Sequence, residues 1–240
     1  MRLASFRSIL HIAAILDWDI QHVDIKTAFL HGILPELETV FMEQPPGFKT
    51  AGKEDWVMKL IKSLYGMKQA SYIWNRTFHK ALTALGFKRL VCECCVYIWC
   101  SLSATTIFAV HIDDIIFTSS SPNECKLFKA QLRKHWEISD LGTAKFVLSI
   151  TIECDCADHS ICLSQTVLID CIVKQFGQMD AHPIDTPMVA RLQIVCPDKS
   201  IPVTEPVASW IQCMPYCSLV STLNYLAVAT QRTLLLLLAV

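Results

Sequence analysis

Two short apolar runs separated by adjacent carboxylates constrain the fold of this chain more than any other feature. Residues 105–110 and 115–117 are rich in β-branched and aromatic side chains, and His111-Ile112-Asp113-Asp114 lies between them. This pattern is typical of a tight β-hairpin with an acidic tip. The sequence therefore predicts a hairpin that presents two neighbouring carboxylates at its turn.

Helical and strand patterns alternate along the rest of the chain. Apolar spacing predicts helices over residues 3–16 and 71–85, and alternation of apolar and polar residues predicts a strand over residues 20–25. Further predicted elements are a strand at residues 96–99, a helix at 122–135, a hairpin formed by 144–153 and 161–163, and a helix at 166–176. Interleaved helices and hairpins indicate an α+β domain, for which the split β-α-β-β-α-β arrangement is one option.

The composition is that of a folded globular protein. Hydrophobic residues make up 52% of the 240 residues, and disorder is expected only around residues 189–206. The twelve cysteines lack the spacing of a secreted disulfide module, which favours reduced thiols. Cys154, Cys156, His159 and Cys162 are spaced too tightly for a typical zinc finger, so we do not expect metal there. The apolar C-terminal run, residues 234–240, is far shorter than the roughly 20 residues that span a bilayer.

The charge is unevenly distributed despite a formal net charge of -1. Residues 56–90 contain no acid and seven cations: Lys59, Lys62, Lys68, Arg76, Lys80, Lys88 and Arg89. Such a segment is either a surface that faces a polyanion or a solvated helix face whose balancing acids lie nearby in space.

The acidic tip allows two interpretations. Adjacent carboxylates with apolar flanks repel each other unless a cation neutralises them, and oxygen ligands favour Mg²⁺ or Mn²⁺. The alternative is an ordinary exposed turn. Asp24 ends the predicted strand and is either a third carboxylate of the same site or a simple strand-end or helix-capping residue. Three converging carboxylates would suit two-metal nucleotidyl transfer.

An ordered series of motifs is the most specific feature of the sequence. The series comprises Asp24-Ile25-Lys26-Thr27-Ala28-Phe29, Met-Glu-Gln-Pro-Pro-Gly-Phe at residues 42–48, Ser-Leu-Tyr-Gly-Met-Lys-Gln at 63–69, the acidic tip, Asp-Leu-Gly at 140–142, Leu-Ser-Gln at 163–165, Thr-Pro-Met at 186–188, and residues 215–227. In this order, and over nearly the whole chain, it resembles the reverse transcriptases of copia-type retrotransposons.

The resemblance implies a catalytic site for RNA-directed DNA synthesis. Asp24, Asp113 and Asp114 would be the catalytic carboxylates. They would bind two Mg²⁺ or Mn²⁺ ions, with the Ile25 carbonyl completing one metal shell. RNA template, DNA primer and deoxynucleotides are the implied partners, and no membrane is involved.

The resemblance also implies four residues that contact nucleotide or template. Phe29 occupies the position whose aromatic ring would clash with a ribose 2'-hydroxyl, although core packing is an alternative role. Lys68 and Gln69 would lie near the incoming nucleotide or the template. His111 replaces the family's Tyr beside the primer terminus and introduces a group that titrates near neutral pH. Trp74 is expected only to pack its helix.

The expected architecture is a reverse-transcriptase-like palm over residues 1–163 and a partial helical thumb or connection over residues 164–240. Most of the fingers segment would be missing, so we expect a truncated, weakly active or inactive copy. Ser149, Ser221 and Cys217 also depart from the family pattern. The alternative is a non-catalytic retrotransposon remnant, or a co-opted nucleic-acid-binding module. By family, the expected location is a cytoplasmic virus-like particle.

Overall fold

The computed structural model describes residues 1–155, 158–182 and 215–231. They belong to two compact units, one formed by Met1–Ala144 with Cys156–Ser160 and the other by Lys145–Asp155 with Ile161–Val240. Within these described residues, no helix combines the length and apolar character needed to cross a membrane. The Thr-Pro-Met motif at 186–188, the stretch 189–206, the C-terminal run and Cys156 lie outside the described residues.

The described chain contains helices and strands in the mixture that the sequence predicts. The helices are α1 (Leu3–Ile15), α2 (Ala70–Ala84), α3 (Pro122–His135), α4 (Thr166–Gln175) and α5 (Tyr216–Ala229). The strands are β1 (Ile20–Ile25), β2 (Phe41–Glu43), β3 (Val57–Lys59), β4 (Lys88–Arg89), β5 (Val96–Cys100), β6 (Thr105–His111), β7 (Asp114–Ser119), β8 (Ile138–Thr143), β9 (Phe146–Val147), β10 (Ile150–Asp155) and β11 (Ser160–Ser164). The expected α+β class is confirmed.

The first unit is built on a six-stranded antiparallel sheet with the order β4-β5-β6-β7-β1-β8. Its central part follows the chain as β1, α2, the β6–β7 hairpin, α3 and β8. The two strands that flank β1 therefore come from far along the sequence. This arrangement carries the end of β1 to the tip of the hairpin.

The two faces of the sheet bury different helices. Phe108 and Val110 of β6 contribute to a core with Trp74 of α2 and Phe128 of α3. The intervening residues of β6 pack with Ile9 of α1 in a separate cluster. This alternation follows from the two-residue repeat of a strand, which sends successive side chains to opposite faces.

The central hairpin is tighter than the sequence pattern suggests. His111 and Asp114 are paired residues at the strand ends, so the loop contains only two residues rather than the four predicted. The predicted second hairpin is present as β10 and β11, and β9 joins it in a three-stranded sheet in the second unit. In the same unit the Tyr225 hydroxyl donates to the carbonyl of Leu148.

Candidate active site

The three carboxylates singled out in the sequence lie at one end of the central strands. Asp24 and Asp114 are directly opposite each other in the β1–β7 pair. Cα atoms of such antiparallel partners lie about 4.5 to 5.5 Å apart. Asp113 is the adjoining residue of the hairpin turn, and its carbonyl accepts a hydrogen bond of 2.9 Å from the Ile25 amide. Strand pairing thus places two distant segments of the chain at one site.

The carboxylates repel one another. Burial, followed by the charge of Asp114, raises the pKa of Asp24 above its usual value. The pKa of Asp113 is also raised, chiefly by burial and further by the charges of Asp24 and Asp114. Negative charge is therefore concentrated at these carboxylates, and the local positive charges do not fully balance it. A bound cation would stabilise the ionised carboxylates.

The hairpin turn is held in an unusual conformation. Ile112 has a φ of 62° although its side chain is β-branched, and such a residue in the left-handed region is strained. The buried indole of Trp74 donates a 2.8 Å hydrogen bond to the Ile112 carbonyl. Trp74 thus does more than pack its helix, because it also fixes the turn that carries Asp113.

His22 contacts the site from within β1. Its Nε2 lies 2.8 Å from an oxygen of Asp114, and the His22 side chain is buried. One oxygen of Asp114 is therefore already engaged. Alternation along β1 identifies His22 as a strand residue, but only the long-range β1–β7 register shows that it faces Asp114.

His111 is half-buried and is paired with Asp114 across the turn. Burial, followed by the positive charge of the N-terminal amine, lowers its pKa, and together they exceed the opposing attraction of the Asp114 and Asp113 charges. The neutral imidazole is therefore the expected form at neutral pH.

Phe29 lies in a short 3-10 turn, Ala28–His31, that follows β1. Its ring contacts the ring of Tyr65, with the centroids 5.0 Å apart. Burial, followed by the charge of Asp113, raises the pKa of Tyr65 above its usual value. The resemblance marks the motif at residues 63–69, which contains Tyr65, as the family's substrate-binding motif, but Tyr65 itself was assigned no separate role.

Comparison with known proteins gives the family. Residues 1–190 match the family described as "Reverse transcriptase (RNA-dependent DNA polymerase)". The chain belongs to the reverse transcriptase family. It is 33% identical over 232 residues to the retrovirus-related Pol polyprotein from transposon TNT 1-94 of Nicotiana tabacum, covering 96% of this chain and 17% of that protein. It is 28% identical over 225 residues to the Pol polyprotein from transposon RE1 of Arabidopsis thaliana, covering 93% and 14%.

A third relative is the putative transposon Ty5-1 protein of Saccharomyces cerevisiae. It is 32% identical over 130 residues, which cover 54% of this chain and 42% of that protein. These relatives confirm the resemblance to copia-type elements. The chain spans less than a fifth of the length of the two plant polyproteins. No solved structure matches it.

The remaining reverse-transcriptase residues predicted from the sequence lie at the start of α2. Lys68 is exposed, and Gln69 immediately precedes the helix and is half-buried. In the described part of the chain, neither side chain makes a hydrogen bond or ion pair with the three carboxylates. Their predicted contact with nucleotide or template stays a prediction, as does the metal-binding role of the Ile25 carbonyl.

Reverse transcriptases use divalent cations, and the carboxylates fit such ions in their donor chemistry. Aspartate oxygens are the ligands that Mg²⁺ prefers, and the raised pKa values of Asp24 and Asp113 mark negative charge in need of a counterion. Among the described residues, however, no group of three or more His, Cys, Asp or Glu side chains is arranged to hold a metal ion. His22 contacts one of the two Asp114 oxygens, and a carboxylate can bind a cation through the other.

Proposed function

We propose that this chain provides the palm of an RNA-directed DNA polymerase, in which Asp24, Asp113 and Asp114 are the catalytic carboxylates. The observation that carries the proposal is the register of β1 with β7, which sets Asp24 opposite Asp114 and beside the turn residue Asp113. Membership of the reverse transcriptase family supports the reaction type.

The connectivity of the central sheet supports the palm assignment. The order β6-β7-β1-β8, with α2 and α3 as the connecting helices, is the split β-α-β-β-α-β arrangement expected of a palm. We assign the palm to residues 1–163 and a partial helical thumb or connection to residues 164–240. The location we propose is a cytoplasmic virus-like particle.

In the proposed mechanism Asp24, Asp113 and Asp114 would hold two Mg²⁺ or Mn²⁺ ions, with the Ile25 carbonyl as a further ligand. Such ions would activate the primer hydroxyl and stabilise the departing pyrophosphate. The protein contributes the positions of the carboxylates. The hydrogen bond from the Ile25 amide to the Asp113 carbonyl joins the turn to β1 and so holds the two acidic segments beside each other.

Substrate contacts are assigned to residues around these carboxylates. Phe29 would face the sugar of the incoming nucleotide and disfavour a ribose. His111 would lie beside the primer terminus in its neutral form. Lys68 and Gln69 would contact the nucleotide or the template, and a fixed cation near phosphate strengthens its binding.

The basic segment would hold the polynucleotide backbone. All seven cations between residues 56 and 90 are exposed. Of the ion pairs found among the described residues, none involves any of the seven. This argues against the alternative in which nearby acids balance the segment, and supports a surface available to phosphates.

A second candidate function is nucleic-acid binding without catalysis. The contact between His22 and Asp114 favours it, because the imidazole competes with a cation for one of the two Asp114 oxygens. Substitution of the family's Tyr by His111 points in the same direction. We therefore expect synthesis by this chain to be slow.

Primer extension on an RNA template distinguishes the two functions. We expect slow, Mg²⁺-dependent incorporation of deoxynucleotides that falls by about two orders of magnitude or more in Asp113→Asn, because the loss removes charge that stabilises the transition state. Asp55→Asn, at an exposed loop carboxylate, is the matched control and should leave the rate unchanged. Retention of primer–template binding with no extension by the native chain would reject polymerisation in favour of the second function.

Salt dependence tests the nucleic-acid surface. Binding should weaken steeply with salt, and Lys62→Ala with Lys68→Ala and Arg76→Ala should lower the slope of log K against log salt by about 2 to 3, because each lost phosphate contact removes roughly 0.7 to 0.9. Lys126→Ala with Arg133→Ala and Lys134→Ala, at exposed cations of α3, is the matched triple variant and should change the slope less. An unchanged slope in the first variant would show that the polynucleotide binds elsewhere.

A further inference from the structure

His22 is a buried polar residue on the face of β1 that also carries Asp24. Only 6% of its surface is exposed. In the β1–β7 pair His22 lies opposite Ile116, two residues along β7 from Asp114. Alternate residues of a strand and their cross-strand partners share one face of the sheet. The imidazole is therefore diagonally across from Asp114, a separation that a ring side chain can bridge.

The imidazole donates a hydrogen bond to Asp114. Its Nε2 lies 2.8 Å from the Oδ1 atom of Asp114. An ionised carboxylate can only accept hydrogen bonds, so the Nε2 of His22 carries the proton that is donated. The side chain of His22 is 8% exposed, whereas that of Asp114 is 36% exposed. Water therefore reaches the carboxylate more readily than it reaches the donor.

The two oxygens of Asp114 have different surroundings. In the part of the chain that the structure describes, the hydrogen bond and the ion pair of this carboxylate both involve Oδ1 and His22. A cation that binds through Oδ2 leaves the contact with His22 in place. A cation that binds through both oxygens must compete with the imidazole for Oδ1.

Divalent cations differ in how much they gain from a second oxygen of the same carboxylate. Ca²⁺ takes roughly six to eight oxygen ligands in flexible geometry and binds carboxylates through one oxygen or both. Mg²⁺ requires nearly octahedral geometry, and Mn²⁺ suits the same octahedral oxygen sites. The two oxygens of one carboxylate are too close together to occupy two octahedral positions well. Competition for Oδ1 therefore costs Ca²⁺ more than it costs Mg²⁺ or Mn²⁺.

We propose that His22 is a specificity-determining residue, which engages one oxygen of Asp114 and thereby makes the carboxylate cluster favour Mg²⁺ and Mn²⁺ over Ca²⁺. The inference rests on the proposed function and deepens it, because it assigns the choice of cation to a residue that is not itself a ligand. His22 acts only through Asp114, so its effect depends on the N–H donor and not on the size of the ring.

The experiment measures Mn²⁺ bound to the full chain by electron paramagnetic resonance, and then its displacement by Ca²⁺. The native chain should bind Mn²⁺ more tightly than Ca²⁺. His22→Leu removes the donor and should lower the ratio of the Ca²⁺ Kd to the Mn²⁺ Kd by about tenfold, the scale of one hydrogen bond to a charged group. His22→Phe keeps a ring without the donor and should lower the ratio equally.

Two further variants separate the donor from other effects of substitution. His22→Gln places an amide N–H near the position of the imidazole Nε2 and should retain most of the native ratio. His11→Leu, the same substitution at an exposed histidine of α1, is the control and should leave the ratio unchanged. Both cations bind the same folded molecules, so the ratio does not depend on the fraction of a variant that is folded.

The outcomes distinguish this inference from the proposed function. A native ratio in His22→Leu and His22→Phe, or a ratio in His22→Gln as low as in those two, would overturn the role of His22. Equal affinity of the native chain for Ca²⁺ and Mn²⁺ would overturn it as well. Each of these results leaves the proposed function intact. Failure of the native chain to bind Mn²⁺ would instead overturn the proposed function, and the role of His22 with it.

Discussion

A buried lysine joins α3 to strands β1 and β8. Its partner in β1 lies at the end of that strand that is remote from the proposed catalytic carboxylates. Lys129 is 8% exposed, and its Nζ donates to the Gln21 side chain at 2.6 Å and to the Asp140 carboxylate. Arg133, one turn further along α3, lies 3.2 Å from the other Asp140 oxygen. The group fixes α3 against β1 and β8, and so contributes to the register on which the site depends.

Replacement of Lys129 by Met would retain the apolar part of the side chain and remove the charge. Loss of one partner of a fully buried ion pair costs about 3 to 5 kcal/mol. Asp140 is partly exposed, with 31% of its side chain accessible, and it would keep Arg133 as a partner. We therefore expect a smaller loss of about 1 to 3 kcal/mol in the free energy of unfolding. For a chain of this size the melting temperature should fall by about 2 to 12 °C.

Thermal unfolding followed by circular dichroism measures the effect. Lys126→Met is the matched control, since it places the same substitution at an exposed position of α3 and should change the melting temperature little. If the two variants have the same melting temperature, Lys129 does not stabilise the packing of α3 on the sheet.

The pH dependence gives an independent check. Burial alone would raise the pKa of Asp140, but hydrogen bonds from Lys129 and the Gly142 amide hold it below its usual value. A carboxylate with a lowered pKa stabilises the folded state above its usual pKa and loses this contribution as the pH falls through the lowered value. The difference in the free energy of unfolding between the native chain and Lys129→Met should therefore have its full size at pH 7 and become smaller below about pH 4.

Three further variants test other contacts. Trp74→Phe removes the donor to the Ile112 carbonyl and should lower the free energy of unfolding in urea by about 2 to 4 kcal/mol. A loss below about 0.5 kcal/mol would mean that this hydrogen bond does not hold the turn. Burial would raise the pKa of Glu93, but hydrogen bonds that it accepts from the start of α1 lower it. Glu93→Gln should therefore lower the free energy of unfolding by about 1 to 2 kcal/mol at pH 7, and by much less below about pH 4. Asp113→Asn should raise the melting temperature at pH 7, because a raised pKa means that folding disfavours the charged form. The gain should vanish at acid pH, and a lower melting temperature would show that burial and charge repulsion do not penalise the ionised Asp113.

Local sequence patterns predicted most of the elements that carry the site. Alternation placed β1 over residues 20–25, and apolar runs around two acids predicted the β6–β7 hairpin. Both patterns arise from periodic burial, which is encoded in neighbouring residues. β8 was missed because Ile138–Thr143 contains Gly142 and two exposed polar positions, so it lacks clear alternation. Its pairing with β1 is also irregular between His22 and Val23.

Contacts between distant segments could not be predicted in the same way. The contact of His22 with Asp114 joins residues 92 positions apart, and that of Trp74 with Ile112 joins residues 38 apart. The register of two strands decides such contacts, and a shift of one residue would turn each side chain to the other face. The family resemblance identified the carboxylates, whereas only the structure shows that an imidazole engages one of them.

Mn²⁺ binding by electron paramagnetic resonance tests the central claim, that Asp24, Asp113 and Asp114 form one site for divalent cations. The measurement does not depend on primer, template or catalytic rate. The account predicts saturable Mn²⁺ binding by the native chain, weakened at least about tenfold in Asp24→Asn and in Asp113→Asn and unchanged in Asp55→Asn. Absence of binding, or equal affinity in Asp24→Asn and the native chain, would contradict the claim that strands β1 and β7 assemble a shared cation site.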